Sequence, residues 1–331
     1  MPNKLKKFWK SIGPGLVTGA SDDEPSAIAT YSIAGAKFGY SMLWVALFSL
    51  PLMISVQEMS ARIGRISNKG LAGNMKKHYP RWMMISIAVL IVGANTINIG
   101  ADMSGMAQAV AMIAPLPEKI TAIAITLLIL GTILIFPYQK IFTVFKWLAL
   151  TLFAYVFASF TVHQDWPRVF YHLFVPTIVF SKEYLLVLMA FMGTTLSPYL
   201  FFWQANQEVE EKIIEQCKPG HICRLKPSSP EEMKAMDVDT RIGMTFSNLI
   251  TFFIITLTAA TLFRSGITNI ETLRDAADAL RPLAGNYAYS LFAIGILSSG
   301  FLAIPVLAGS AAYVIAEVFG WSGGFNKSFT K

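Results

Sequence analysis

The chain of 331 residues is 54% hydrophobic and only 14% charged, with a mean hydropathy of +0.52, where a soluble globule carries roughly a quarter charged residues. This balance excludes a water-soluble enzyme or binding domain and places the chain among polytopic membrane proteins. The formal charge of +7 does not call for nucleic acid, because the cations segregate by side of the membrane.

Apolar stretches of about 20 residues predict eight spans, near 12–35, 39–61, 83–113, 120–137, 141–162, 183–209, 242–263 and 287–319. The opening "MPNKLKKFWK" is basic and precedes an apolar run, yet no small-residue cleavage site follows, so it reads as the lead into a retained first helix. With the N-terminus in the cytoplasm, all of the 27 Lys and Arg except Lys37, Lys119, Arg168, Lys182, Arg264, Arg274 and Arg281 fall inside. The first span, "GPGLVTGASDDEPSAIATY" over 13–31, is interrupted by Asp22, Asp23 and Glu24, and the sixth is interrupted near Pro198. Between spans, 162–182 reads as an interfacial loop, 264–286 as a short external helix on the surface, and 210–240 as a solvated cytoplasmic connection. Cys217 and Cys223 in that connection are expected to be reduced; with His221 they offer three soft ligands but no fourth.

Breaks in spans one and six match transporters built as two inverted five-helix repeats, whose first helices unwind at the midplane and line an ion site. The whole chain, 1–331, is then one transmembrane domain, with a first repeat over about 12–162 and a partial second over about 183–319. The second repeat holds three spans, so the sequence reads as lacking the last two helices, as a fragment, or as breaking the scheme.

No P-loop, H-E-x-x-H, G-x-S-x-G or repeated Cys-His pattern occurs, and Gly13-Pro14-Gly15 lacks the spacing and preceding strand of a dinucleotide fingerprint. An enzyme is not indicated. A carboxylate at membrane depth costs about 2.5–3.5 kcal/mol on insertion scales, so three in a row need a helix break, supplied by Pro25, and a cation. Glu24, directly before the proline, is the leading ligand. Asp22 and Asp23 either ligate or line a wet vestibule. At the partner break, "GTTLSPYLFFWQ" over 193–204, Thr194, Thr195 and Ser197 offer hydroxyls, or serve as small residues for helix packing. Asn95, Asn98 and Asp102 recur on one face of span three, which suggests a wet interior surface. Carboxylate and hydroxyl oxygens suit Mg²⁺, Ca²⁺ or Mn²⁺.

These residues carry a resemblance to the Nramp family of divalent metal transporters, and above all to its divergent magnesium-transporter-like branch. Gly13-Pro14-Gly15, nine residues, then Pro25-Ser26-Ala27-Ile28-Ala29-Thr30 follow the family's first-helix pattern without a gap, and "LFAIGILSSGFLAIPVLAGSAAYVIAEVFGW" is similar to its eighth helix. The resemblance implies an all-α, LeuT-like fold with broken helices 1 and 6. It puts Glu24 at the metal-binding Asp position, Ala27 at the metal-binding Asn, Ser197 at the sixth-helix Met and Thr194 at the Ala one turn earlier. Loss of sulfur with gain of hydroxyl implies a harder ion. Two family histidines tied to proton movement fall on Tyr199 and Gln204, and the acidic pair of the third helix is reduced to Asp102, so weak or absent proton coupling is implied. Membrane potential alone gives a divalent ion about 4.6 kcal/mol per 100 mV.

The resulting expectation is a multi-pass plasma-membrane carrier of Mg²⁺ or Mn²⁺, the metal being substrate, with the bilayer as surroundings and no cofactor, nucleic acid or protein partner implied. Glu24, Asp23, Asp22, Thr194 and Ser197 form the expected metal set, with Ser26, Ala27, Asp102, Thr195, Tyr199 and Gln204 around it or along the pathway. Two other readings stay open: a Na⁺- or H⁺-coupled small-solute symporter of the same fold, and a truncated, non-transporting metal-binding membrane protein.

Overall fold

The computed structural model describes residues 13–114, 116–135, 144, 147–217, 225–270, 273–277, 288–321 and 324. Among them there is no strand. Six helical stretches are long and apolar enough to cross a membrane: Pro25–Ser67, Arg81–Ile113, Glu118–Ile135, Lys182–Gln216, Pro230–Phe263 and Phe292–Phe319, with Trp147–Thr161 a shorter apolar one. The molecule is a multi-pass membrane protein.

The first span is two helices, α1 (Pro14–Asp22) and α2 (Pro25–Phe38). Proline cannot accept a place inside the first helix and forces its predecessor out of helical geometry, so Glu24 is extended at φ −68°, ψ 163° and Pro25 starts α2. The break near Pro198 repeats this shape. Helix α9 (Lys182–Thr195) ends at Leu196 with ψ 50°, as α1 ends at Asp23 with ψ 49°; Ser197, like Glu24, is then extended before the proline that opens α10 (Pro198–Gln216).

Between these lie α3 (Leu43–Ser67), the short α4 (Leu71–Met75), α5 (Arg81–Ile113), α6 (Glu118–Ile135), α7 (Phe153–Thr161) and α8 (Trp166–Phe174). After α10 come α11 (Pro230–Thr258), the five-residue α12 (Leu273–Ala277) and α13 (Ala288–Phe319). Helix α11 lies along α1, α2 and α3, while α13 lies along α5 and α10. Tyr31, Met106, Tyr155, Phe191 and Ile254 share the main core. Leu127, Leu128 and Leu134 of α6 face outward, as expected for a lipid-facing helix.

Helix α1 sits unusually close to α11. A Cβ on Gly19 would run into the Gly243 carbonyl, and one on Gly243 into Gly15; small residues permit this backbone-on-backbone approach. Asp239 of α11 then accepts from the Gly13 and Gly15 amides at 2.8 and 2.6 Å, satisfying donors that the start of a helix leaves free.

The expected connection at 210–240 is shorter than its polarity suggested. Helix α10 runs on to Gln216, and α11 begins at Pro230 behind a capping box in which Ser229 and Glu232 bond reciprocally. The charged residues are helical because they pair across helices: Arg65 of α3 reaches Glu208 at 3.0 Å, Glu211 at 3.5 Å and Glu215 at 2.7 Å. Residues 162–182 likewise contain a helix, α8, with the Asp165 carboxylate accepting from the Arg168 amide. Within 264–286 the described helix is α12, and it corrects the expected surface helix: Leu273, Ala276 and Ala277 are buried in the main core, against α2, α5 and α13; 278–287 lie outside the described residues. Cys217 is disulfide-bonded, which corrects the expected free thiol and removes it as a thiolate ligand; the chain's other cysteine lies close by in sequence. His221 and Cys223 lie outside the described residues.

Candidate metal centre

The break between α1 and α2 frees backbone and side chains at the middle of the bundle, and Glu24 is the best connected of them. Its Oε1 accepts from Ser26 Oγ at 2.9 Å and from Asn98 Nδ2 of α5 at 2.5 Å. Its Oε2 faces the Tyr199 hydroxyl of α10 at 3.2 Å, and that same hydroxyl is 3.2 Å from the Ser21 carbonyl. One hydroxyl proton thus serves two acceptors on either side of the break.

Asp102, one turn beyond Asn98, accepts from the Ser26 amide at 3.1 Å and so caps α2. Its other oxygen is buried with no partner. Glu24 and Asp102 therefore meet through Ser26, one at its hydroxyl and one at its amide. Asn95, a further turn back, bonds to the Leu307 carbonyl and Ser310 of α13; the polar face of α5 is an interior surface, as its spacing indicated.

The remaining acids turn elsewhere. Ser247 of α11 lies 3.1 Å from Asp22 Oδ2 and 3.5 Å from Asp23 Oδ1. Asp22 and Asp23 are 1% and 0% exposed, so in this conformation they line no open vestibule. Ala27 is buried in the apolar core, adding no ligand where the family pattern has Asn. Thr194 and Ser197 direct their hydroxyl protons to carbonyls of their own helix end, Ser197 to Thr194 and Gly193 at 2.6 and 3.1 Å. Their oxygens keep lone pairs, but neither is hydrogen-bonded to Glu24. Thr195 bonds to Tyr31 at 3.2 Å. Gln204 bridges Thr18 of α1 at 2.6 Å and Glu208 at 2.9 Å.

Asp22, Asp23, Glu24 and Asp102 are all within 1% of full burial, and among the described residues none is ion-paired to a Lys or Arg. Uncompensated carboxylates in a dry interior are strongly unfavourable. Charge balance calls for cations or protons. Among the described residues no three acidic, histidine or cysteine side chains converge on one point, so any metal here is held by one or two carboxylates together with neutral oxygens, a donor set for hard ions that keep some water. Asn98 and Ser247 were not singled out as ligand partners in the sequence. The helical stripe containing Asn98 was a usable signal; Ser247, in "MTFSNLIT", carries no local mark.

The chain has known relatives. The divalent metal cation transporter MntH of Caldanaerobacter subterraneus subsp. tengcongensis is 26% identical over 304 residues, covering 90% of this chain and 69% of that protein. MntH of Agrobacterium fabrum is 28% identical over 332 residues, covering 95% and 67%. The solved structure of the Eremococcus coleocola manganese transporter, in complex with an aromatic bis-isothiourea substituted compound, superimposes with a TM-score of 0.79 at 16% identity, over 96% of this chain and 68% of that one. That likeness fixes the LeuT-like arrangement of broken helices. The model of the Nramp family, described as natural resistance-associated macrophage protein-like, matches residues 15–331. That match takes in both helix breaks, and the chain belongs to the Nramp family.

Proposed function

We propose that this protein carries divalent metal cations across the membrane rather than catalysing a reaction, with Glu24 as the principal ligand. The observation that supports this most strongly is the pair Glu24 and Asp102, buried, bridged by Ser26 and, among the described residues, without a cationic partner. Ser26, Asn98 and Tyr199 orient the Glu24 carboxylate; the carbonyls freed at the second break, with Thr194 and Ser197, supply neutral oxygens from the other half of the molecule.

The family relationship supports divalent ions in general, and the residues favour Mg²⁺ or Mn²⁺ within that class. Sulfur is absent from this set, Glu24 is longer than Asp, and Ala27 adds no donor; such a site favours oxygen-loving ions that retain part of their hydration. The magnesium-transporter-like branch of the family is the one this pattern suits. Tyr199 and Gln204, in place of titrating imidazoles, fit transport with little or no proton coupling. The distribution of Lys and Arg fits a cytoplasmic N-terminus. One transmembrane domain over 1–331, with repeats near 12–162 and 183–319, fits the matching backbone of the two breaks.

On that orientation, the ends where α1 begins and α10 finishes face the cytoplasm, and the bonds of Asp239 to α1 and of Arg65 to α10 hold the inner side closed. Alternating access would proceed by rocking about the two breaks, releasing those bonds. Uptake into proteoliposomes tests the assignment. The parent should move Mg²⁺ and Mn²⁺ in preference to Cd²⁺ without acidifying the lumen, and Glu24→Ala should abolish uptake; undiminished uptake by that variant would overturn it.

A further inference from the structure

Asp22 and Asp23 are adjacent to Glu24 in sequence but share none of its hydrogen-bond partners. Glu24 is bonded to α2, α5 and α10. Asp22 and Asp23 instead meet α11, where a single hydroxyl, Ser247 Oγ, lies within 3.1 Å of one and 3.5 Å of the other. Because one atom reaches both, the two carboxylates converge.

Ser247 has one proton to give, and Asp22 Oδ1 and Asp23 Oδ2 are buried with no partner at all. A third group repeats the deficit from a different helix. Tyr155 of α7 is 3% exposed, its hydroxyl has no partner, and it lies within electrostatic reach of Asp23. The Tyr31 hydroxyl is within reach of both acids, beside Thr251, which is one turn along α11 from Ser247. Two carboxylates thus share the Ser247 hydroxyl, with the Tyr155 and Tyr31 hydroxyls within electrostatic reach, and among the described residues no Lys or Arg is paired to them.

We infer that the protein holds a second divalent cation, separate from the one at Glu24, between Asp22 and Asp23 at the end of α1 and Ser247 of α11, with Tyr155 facing it. Two carboxylates balance a charge of +2, whereas a monovalent ion would leave one buried charge over. The donors are all oxygen, which selects Mg²⁺, Mn²⁺ or Ca²⁺ and gives a softer ion no advantage. The site lies on the α11 side of the break and the Glu24 site on the α5 and α10 side, so a carrier with both would hold two ions at once. This inference rests on reading the break as a cation site, but its test separates the two.

The test is the number of Mn²⁺ ions bound at saturation by the purified full chain, measured by equilibrium dialysis and by the electron paramagnetic resonance spectrum of the bound ion. The parent should bind two per chain, with dipolar broadening between them. Glu24→Gln and the double variant Asp22→Asn/Asp23→Asn should each bind one, unbroadened; Ser247→Ala should keep both sites but weaken one by about 10–100-fold, the usual cost of losing a group that orients a ligand. A parent that binds one ion overturns the inference, because the two aspartates then carry protons instead. So does a double variant that still binds two. If Glu24→Gln binds two while the double variant binds one, the second site stands and the Glu24 assignment fails. Should the double variant not yield a monodisperse protein, the parent stoichiometry and Ser247→Ala decide the matter.

Discussion

Replacing Arg65 tests whether the charges at the α3–α10 contact are structural cement or surface decoration. The Arg65 side chain is 4% exposed and Glu208 is 1% exposed, with 3.0 Å between Nη1 and the carboxylate; Glu215 and Glu211 are 43% and 36% exposed. Arg65→Ala strands Glu208 in the interior, and removing one partner of a buried pair costs about 3–5 kcal/mol, whereas the two half-exposed pairs add about 0–1 kcal/mol each. Arg62 provides an internal control, since its own contact to Asp237 at 2.7 Å is shorter than the Glu208 contact but its side chain is 48% exposed; Arg62→Ala should cost about 1 kcal/mol or less. On the entropy scale of globular proteins, a chain of this length gains about 0.7 kcal/mol of unfolding entropy per degree, so thermal unfolding in detergent should shift by about 4–7 °C for Arg65→Ala and by about 1 °C for Arg62→Ala. Arg65→Lys should fall between, because an ammonium cannot reproduce the fork that sends Nη1 to Glu208 and Nη2 to Glu215. Equal shifts for Arg65→Ala and Arg62→Ala would refute the reasoning, since burial and not contact distance is what it uses to separate them.

Gly243→Ala places a methyl group into the Gly15 backbone, so folded yield by size-exclusion chromatography should collapse, while alanine at Gly93, where nothing lies within 4 Å, should be tolerated. Asp239→Ala removes a carboxylate that accepts from two backbone amides; at about 1.5–3 kcal/mol for a hydrogen bond to a charged group, thermal unfolding should fall by several degrees, with Asp239→Asn intermediate. Asn98→Ala removes the 2.5 Å bond to Glu24 and should weaken Mn²⁺ binding at that site by about 10–100-fold with little change in unfolding temperature; unchanged affinity would mean that Asn98 does not orient the ligand.

The spans and the two breaks were legible because prolines at 25 and 198 and long apolar runs act locally. Glu24, placed before a proline, was marked by the same local rule. What the sequence concealed depends on partners far along the chain. The run "EEKIIEQ" at 210–216 looks like a solvated connection because nothing in it announces Arg65, yet it is helical and pairs with that residue. Asp239 reads as a surface charge until α1 is laid against α11, and only then does it cap two amides 224 and 226 positions away. Ser247 is one of several hydroxyls along α11; its meaning comes from facing two acids on another element. For Thr194 and Ser197 the oxygen atoms were legible but their present bonding was not, because a hydroxyl at a helix end has its own carbonyls within reach.

The two breaks do different work although their backbones match. At the first, the freed groups are acids and a hydroxyl directed at α5, α10 and α11; at the second, the hydroxyls satisfy carbonyls of their own helix end, and the side chain that crosses to the first break is Tyr199. The acids at the breaks therefore all lie on the first, while the second presents hydroxyls and carbonyls. An ion that takes Glu24 Oε2 removes one of the two acceptors available to the Tyr199 hydroxyl, leaving it to the Ser21 carbonyl at the end of α1. Two helical turns and less below, α1 and α10 are joined again through Thr18 and Gln204, and Gln204 passes to Glu208 and so to Arg65. Two contacts between these helices, Tyr199 to Ser21 and Thr18 to Gln204, are thus polar. A polar seam can be parted and wetted at far lower cost than a packed apolar one, which is what a carrier that opens between α1 and α10 requires.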